Sequence, residues 1–477
     1  MPSTKSIRKA KIVATLGPSS NDLETIKKLI AAGMNVARLN MSHGTYEQHS
    51  ELIKNIREAS KAMGIEVAIL QDLQGPKIRV GTLDKELDLQ KGSRWHVGIP
   101  SLKDKFDKNF IPSDYAELVN DCVPNTKILF DDGKIKAKAI ERVGDAYLIE
   151  VLEGGILKSK KGINLPDCKL SVPSFTQKDQ EDLEFGIKQG IDFVALSFVR
   201  DKEDIIRIKD FLKQRNAQVL VIAKIEKPQA VLNIQEITDE VDVIMVARGD
   251  MGVEVGDHLV PVVQKKLISL CNLKGIPVIT ATQMLESMIG FSTPTRAEAS
   301  DVANAIWDGT DAVMLSAESA SGKYPIESVK MMSSIILEAE KYPKKRISLS
   351  DLLIDDVGST MMIAASLIAE NIKAQHIICM TTEGNSCIKL SRFRPKTPIL
   401  GVTNSVHVVR RMCLYWGCVP FHLTNFDEDN LDLQKQVVEL VKKEFNLNPG
   451  EKVVVTKGEG KFFQGGTSNS VIVEIIQ

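Results

Sequence analysis

Residues 219–226 read VLVIAKIE: five apolar residues, then a lysine, an isoleucine and a glutamate. An apolar run without polar alternation fits a strand buried on both faces of a parallel sheet. The same kind of run recurs along the chain. KIVATLG (11–17), VARLNMS (36–42), VAILQDL (67–73) and DFVALSF (192–198) precede it. DVIMVARGD (242–250), PVITATQ (277–283) and DAVMLSAES (311–319) follow. Between the runs lie amphipathic stretches with helix punctuation. DLETIKKLIAAG, for example, offers Asn21 or Asp22 as N-cap and Gly33 as a stop. Eight β-then-α units predict an α/β fold, a (β/α)8 TIM barrel, with an open doubly wound sheet as the alternative.

The series breaks between Leu73 and Asp192. Residues 127–155, KILFDDGKIKAKAIERVGDAYLIEVLEGG, alternate in the manner of an antiparallel meander, with a turn at Asp131, Asp132 and Gly133. This predicts a β lid domain inserted after the third barrel strand, over the rim where barrel enzymes react. After Tyr342 a Lys-rich connector leads into a second α/β pattern, with strands at HIICM, PILGV, GCVPF and KVVVT. The expected division is barrel over 1–75, β lid over 76–172, barrel again over 173–343, and a C-terminal α/β regulatory domain over 344–477.

Composition narrows the function classes. With 43% apolar and 26% charged residues, the 477-residue chain reads as an ordinary globular enzyme. The 61 basic and 62 acidic residues nearly cancel, and no basic stripe stands out, so no nucleic-acid partner is expected. No apolar run is long enough to span a membrane, and the N-terminal apolar stretch is too short for a signal peptide. Seven scattered cysteines with no C-x-x-C pair suggest reduced, buried thiols and a cytoplasmic protein.

Polar residues collect where the runs end, which is where a barrel of this kind does chemistry. Arg38, Asn40, Ser42 and His43 close the second run, and Asp72 the third. Lys224 and Glu226 close the fifth, Arg248 and Asp250 the sixth, and Thr282 the seventh; Ser316 and Glu318 follow the eighth. Lys224 and Glu226 are two apart on a strand and share a face. Taken alone they read as a buried ion pair. Asp250 on the neighbouring strand alters the balance, because two carboxylates can hold one Mg²⁺ while water and substrate complete its shell. Gly249 lets backbone approach a ligand, and a short helix there would offer amides to an anion. Arg38, inside an apolar strand, suits bidentate binding of a phosphoryl group. Thr282 alone is equally a back-bonded core threonine, and His43 an exposed loop histidine.

These residues sit in strings that together resemble the pyruvate kinase family. The strings are MSHG (41–44), QDLQGPKIR (71–79), SKKGINLP (159–166), KIEKPQAV (224–231), ARGDMGVE (247–254), ATQMLESM (281–288), PTRAEASDVANA (294–305) and GTDAVMLSAESASGKYP (309–325). The resemblance covers essentially the whole chain in order. It implies Mg²⁺-dependent transfer of a phosphoryl group from phosphoenolpyruvate to ADP, giving pyruvate and ATP in glycolysis. By the same resemblance Lys224 stabilises the transferring phosphoryl, Glu226 and Asp250 hold the metal, and Arg38 contacts phosphate. Gly249, Asp250 and Thr282 match the carboxylate end of the substrate site. Asn40, His43, Arg79 and Lys161 match the nucleotide side. Thr282, Ser316 and Glu318 resemble a polar network that delivers a proton to the enolate. Mn²⁺ suits the same oxygen ligands. A homotetramer is also implied.

One departure is informative. Most of the family reads Asp-Thr-Lys-Gly-Pro-Glu-Ile-Arg where this chain has Asp72, Leu73, Gln74, Gly75, Pro76, Lys77, Ile78 and Arg79. In such members K⁺ sits among ligands matching Asn40, Ser42, Asp72 and the carbonyl of Leu73. Here Lys77 replaces the glutamate, and its ammonium can stand where K⁺ would stand. Leu73, Gln74, Lys77 and Val80 together resemble the K⁺-independent branch, so K⁺ is expected to be dispensable. In the C-terminal domain Thr381, Thr382, Gly384 and Ser386 form a candidate phosphate-cradling effector loop. Glu383 in that loop disfavours phosphate, and a plain strand-to-helix turn is the alternative. Residues 464–470 read as a second effector loop. Two other functions fit parts of the pattern: a Mg²⁺-dependent 2-oxo acid aldolase or lyase, and a catalytically inactive sugar-phosphate sensor.

Overall fold

The computed structural model describes residues 8–106, 109–166, 168–342, 356–424, 433–458 and 468–477. Its eight central strands are β1 (Lys11–Thr15), β2 (Val36–Asn40), β3 (Ala68–Asp72), β4 (Phe193–Leu196), β5 (Leu220–Ile225), β6 (Val243–Ala247), β7 (Val278–Ala281) and β8 (Ala312–Leu315). They form a closed barrel in sequence order, every neighbour parallel, with β8 returning to β1. The open-sheet alternative is therefore excluded. The strands are short and almost wholly buried, because each packs side chains into the barrel on one face and against helices on the other.

Local chemistry sets the boundaries. The first helix (Leu23–Ala32) starts at Asp22, whose carboxylate accepts the Thr25 N–H, and stops at Gly33 with φ 116°. The sixth run is shorter as a strand than the sequence suggests. Pairing ends at Ala247, and Arg248–Met251 turns helical, so Arg248 and Asp250 sit on a helix rather than on a strand end. Thr282 and Gln283 leave β7 with φ of 70° and 53°, a left-handed conformation that ends the ladder.

The chain leaves the barrel after β3 and returns before the helix Gln177–Gln189 that precedes β4. The excursion holds a six-stranded sheet whose centre is the expected meander, Lys127–Phe130, Ile135–Val143 and Ala146–Glu153, all antiparallel. Asp131 and Asp132 both adopt positive φ to make its turn.

The C-terminal domain is a five-stranded sheet. Four parallel strands lie in the order Cys418–His422, Ile399–Thr403, His376–Met380, Lys452–Gly458, and Ser468–Ile475 adds antiparallel at the edge. That edge strand corrects the loop reading at 468–470; residues 464–467 of that reading lie outside the described residues, as does the expected boundary at 343/344. The domain docks under the N-terminal ends of the barrel strands. Arg394 pairs with Asp311 at 2.8 Å and donates to Asn272, and the Lys11 ammonium donates to the Cys418 carbonyl at 2.6 Å. All seven cysteines are buried and unpaired. Among the described residues no helix is long and apolar enough to cross a membrane.

His376 gives this domain a pH signature. Its buried ring packs 4.6 Å from Phe445, and burial pushes the imidazole down to about 4. The fold thus favours neutral histidine. That stabilisation is complete above the ordinary pKa near 6.5 and is lost as pH falls toward 4. Relative to wild type, His376→Phe is expected to gain about 2 to 3 kcal/mol between pH 7 and pH 4.5. Urea unfolding of both proteins at the two pH values reads the difference.

Candidate active site

β1, β2, β3 and β5 converge their C-terminal polar residues on one point of the rim. The buried Arg38 guanidinium donates through Nε to Asp72 Oδ2 at 2.7 Å and through Nη1 to Thr15 Oγ1 at 2.8 Å; its Nη2 lies 2.6 Å from the same Asp72 oxygen. Across Asp72, Lys224 Nζ lies 3.4 Å from Oδ1. Lys224 also donates to Ser197 Oγ at 2.8 Å and lies 3.0 Å from Glu226 Oε1. The other Glu226 oxygen accepts the Phe198 backbone N–H at 2.9 Å. The expected same-face pair of Lys224 and Glu226 is therefore present.

Electrostatics follow from this crowding. Burial would lower the Lys224 ammonium, but Asp72, Glu226 and Asp250 outweigh it and hold the group well above its ordinary value. It is a permanent cation at neutral pH and not a base. Burial likewise opposes ionisation of Asp72, yet Lys224 and Arg38 hold its carboxyl below the usual range. Burial pushes the Glu226 carboxyl up to about 7, against the pull of Lys224 and with the help of Asp250.

Glu226 Oε1 is buried and has no hydrogen-bond partner; the 3.0 Å approach of Lys224 lacks hydrogen-bond geometry. A carboxylate oxygen without a hydrogen bond, together with exposed Asp250 on the helix that follows β6, suits a hard divalent ion. Among the described residues no group of three or more His, Cys, Asp or Glu gathers as a metal cage. Such an ion would draw its remaining ligands from substrate and water.

Gly249 lies on the short helix, and its N–H donates to Thr282 Oγ1 at 2.8 Å. The Thr282 hydroxyl donates in turn to the Ala281 carbonyl at 2.6 Å. Arg248 clasps the Thr282 carbonyl at 2.6 Å and pairs with Asp301. The expected network of Thr282, Ser316 and Glu318 is not joined by side-chain bonds. Buried Glu318 instead accepts the backbone N–H groups of Ser316 and Leu285 at 2.7 and 3.2 Å.

A cleft of about 280 Å³ lies between rim and lid, lined among others by Lys77, Arg79, Lys161, Asp250 and Phe198. Lys161 pairs with Asp131 at 2.8 Å, and Arg79 donates to the Lys160 carbonyl at 3.0 Å. His43 and Asn40 sit beside the rim in a turn, where the His43 N–H donates to the Asn40 carbonyl. Among the residues expected around a monovalent ion, Lys77 Nζ lies 3.4 Å from Ser42 Oγ, Asn40 Oδ1 accepts the Ser42 N–H at 3.1 Å, and the Leu73 carbonyl accepts the Ser197 hydroxyl at 2.8 Å. In the C-terminal loop, Gly384 donates to Thr381 Oγ1 at 2.9 Å, Ser386 bonds Ser468, and Glu383 lies 4.0 Å from Arg411.

Two site residues escaped the sequence reading. Thr15 anchors Arg38 and Ser197 anchors Lys224. Both are polar residues near the ends of apolar runs, the same signal that marked their neighbours. The sequence places Asp72 at the rim and in the expected monovalent-ion region, but its pairing with two cations from β2 and β5 depends on barrel closure.

A family model described as pyruvate kinase, barrel domain, matches residues 7–329, and one described as pyruvate kinase, alpha/beta domain, matches residues 359–474. Among curated relatives, the pyruvate kinase of Geobacillus stearothermophilus is 42% identical over 482 residues, covering 98% of this chain and 80% of the relative. That of Agrobacterium vitis is 41% identical over 475 residues, covering 98% and 97%. That of Staphylococcus aureus (strain MRSA252) is 40% identical over 476 residues, covering 98% and 81%.

Removing Asp72 tests the electrostatic account. Asp72→Ala leaves the Arg38 and Lys224 charges buried without their shared partner and is expected to lower stability by about 3 kcal/mol or more. Asp72→Asn, which keeps the shape and one acceptor, is expected to lose less. Urea unfolding of the three proteins gives the comparison.

Proposed function

The chain belongs to the pyruvate kinase family, and from that membership we infer how its own residues carry phosphoryl transfer from phosphoenolpyruvate to ADP, with pyruvate and ATP as products. The lyase and sensor alternatives give way to this match. The observation that supports the assignment of residues is the convergence of Arg38, Lys224 and Glu226 on one rim point, with Asp250 a loop away.

Phosphoryl transfer needs alignment and charge neutralisation more than covalent help. Asp72 and Thr15 take hydrogen bonds from Arg38 Nε and Nη1, and Nη2 lies against the same Asp72 oxygen, which leaves N–H groups for a phosphoryl oxygen. Lys224, held protonated and fixed by Ser197, meets the charge on the phosphoryl in transit. Glu226 and Asp250 would hold Mg²⁺ or Mn²⁺, which when bound supplies further neutralisation of phosphoryl oxygens. Gly249, Asp250 and Thr282 frame the carboxylate end of the substrate. Arg79 and Lys161, lining the lid side of the cleft, receive the ADP phosphates, with Asn40 and His43 at the rim. The enolate left behind takes up a proton. Thr282, Ser316 and Glu318 order the water that brings it, although the bond from Thr282 to Ala281 must first be released.

Lys77 supplies the charge that K⁺ supplies elsewhere in the family. Its ammonium reaches Ser42 and lines the cleft beside Asp250. Activity is accordingly independent of K⁺. The C-terminal loop of Thr381, Thr382, Gly384 and Ser386 is a candidate effector site for a phosphorylated ligand, in a cytoplasmic homotetramer.

Two measurements test this. In a coupled ATP-forming assay, Lys224→Met is expected to lower the rate at least about a hundredfold; a variant as fast as wild type removes Lys224 from the mechanism. In K⁺-free buffer the wild type is expected to run as fast as after KCl is added, whereas Lys77→Glu is expected to need KCl. A wild-type rate that collapses without K⁺ and returns with KCl overturns the role of Lys77.

A further inference from the structure

The loops after β5 and β6 carry the two carboxylates assigned to the metal, Glu226 and Asp250. One residue past Glu226 stands Lys227, and one helical turn past Asp250 stands Glu254. These two side chains meet. Lys227 Nζ donates to Glu254 Oε2 at 3.0 Å, and the pair is almost fully withdrawn from water, with side chains 4% and 1% exposed. A buried pair of this kind is strongly destabilised when one partner is lost, so it staples the two loops at a fixed spacing.

The staple has a third member from the lid. Asn164 Nδ2 donates to the other Glu254 oxygen, Oε1, at 2.8 Å. Asn164 lies on the lid strand Ile163–Asn164, next to Gly162 and Lys161 on the wall of the cleft. Gln229, two residues past Lys227, reaches the same stretch of lid chain through the carbonyls of Pro166 and Cys168. Glu254 itself sits in a π-helical turn, Gly252–Gly256, a geometry that recurs at functional sites.

We propose that Asn164, Glu254 and Lys227 are positioning residues that tie the seated lid to the spacing of Glu226 and Asp250, so that nucleotide held by the lid and metal held by the rim assist each other. None of the three needs to touch a reacting atom. The tie acts through population: a lid less often seated lowers apparent affinity in proportion. The inference rests on the assignment of Glu226 and Asp250 to the metal.

The test is steady-state kinetics of Asn164→Leu, which keeps the shape and removes the hydrogen bond to Glu254. KM for ADP and the apparent Mg²⁺ activation constant are both expected to rise about tenfold, a loss of about 1.4 kcal/mol each. The thermal midpoint is expected to stay near that of wild type. Glu254→Gln still accepts from Asn164 but breaks the ion pair, and is expected to weaken Mg²⁺ activation more than ADP. If Asn164→Leu leaves both constants unchanged, or only lowers kcat or the thermal midpoint, the tie does not exist. Glu226→Gln tests the underlying assignment separately. Unaltered Mg²⁺ activation in that variant removes the metal reading, whereas a large loss there with a silent Asn164→Leu removes only the tie.

Discussion

A single buried carboxylate, Asp72, stands between two buried cations that arrive from different strands. Arg38 reaches it from β2 and Lys224 approaches from β5, with β3 and β4 between. Neither cation is tolerable in a barrel interior alone, because desolvation of an unpaired charge is worth several kcal/mol. Together they leave the rim with cations whose partners are already chosen and whose remaining donors can meet an anion. The field is built into the fold before substrate arrives, which is what charge-stabilising catalysis requires. Thr15 and Ser197, the hydroxyls that steady the cations, extend the same constraint to β1 and to the end of β4.

The acidic side of the site has the opposite character. Glu226 keeps one oxygen without a hydrogen bond, and Asp250 is exposed on a helix that begins where β6 ends. An incompletely satisfied carboxylate is a costly core residue unless a ligand completes it. Asp72 Oδ1 likewise has no hydrogen bond, and both bare oxygens face the Lys224 ammonium, at 3.4 Å for Asp72 and 3.0 Å for Glu226.

Much of this was legible in the chain itself. Eight apolar runs became eight parallel strands because residues buried on both faces cannot alternate with polar ones. The rim residues were legible because a charge at the end of such a run has few other uses. What escaped depended on pairing between distant segments. That Asp72 is shared by Arg38 and Lys224 follows only from barrel closure. The Ser468–Ile475 edge strand opens on the polar Ser-Asn-Ser, so residues 468–470 resemble a loop although the rest of the strand is mostly apolar. The short helix considered at Gly249 begins at Arg248, directly where β6 ends at Ala247, and so takes Arg248 and Asp250 off the strand end where the sequence reading placed them. The commitment of the Thr282 hydroxyl to its own strand reflects a left-handed backbone that threonine rarely adopts.

The lid also bears on how the molecule is made. β3 and β4 are neighbours in the barrel, with Leu70 opposite Phe193, yet the whole inserted domain lies between them in the chain. Joining these strands while the insert is unfolded means closing a long loop, whose entropy must be met before the contact returns anything. A lid that folds first brings its two ends together and shortens the effective loop. The domain that walls the cleft above the barrel rim can thus serve, during synthesis, as the clamp that lets the barrel close.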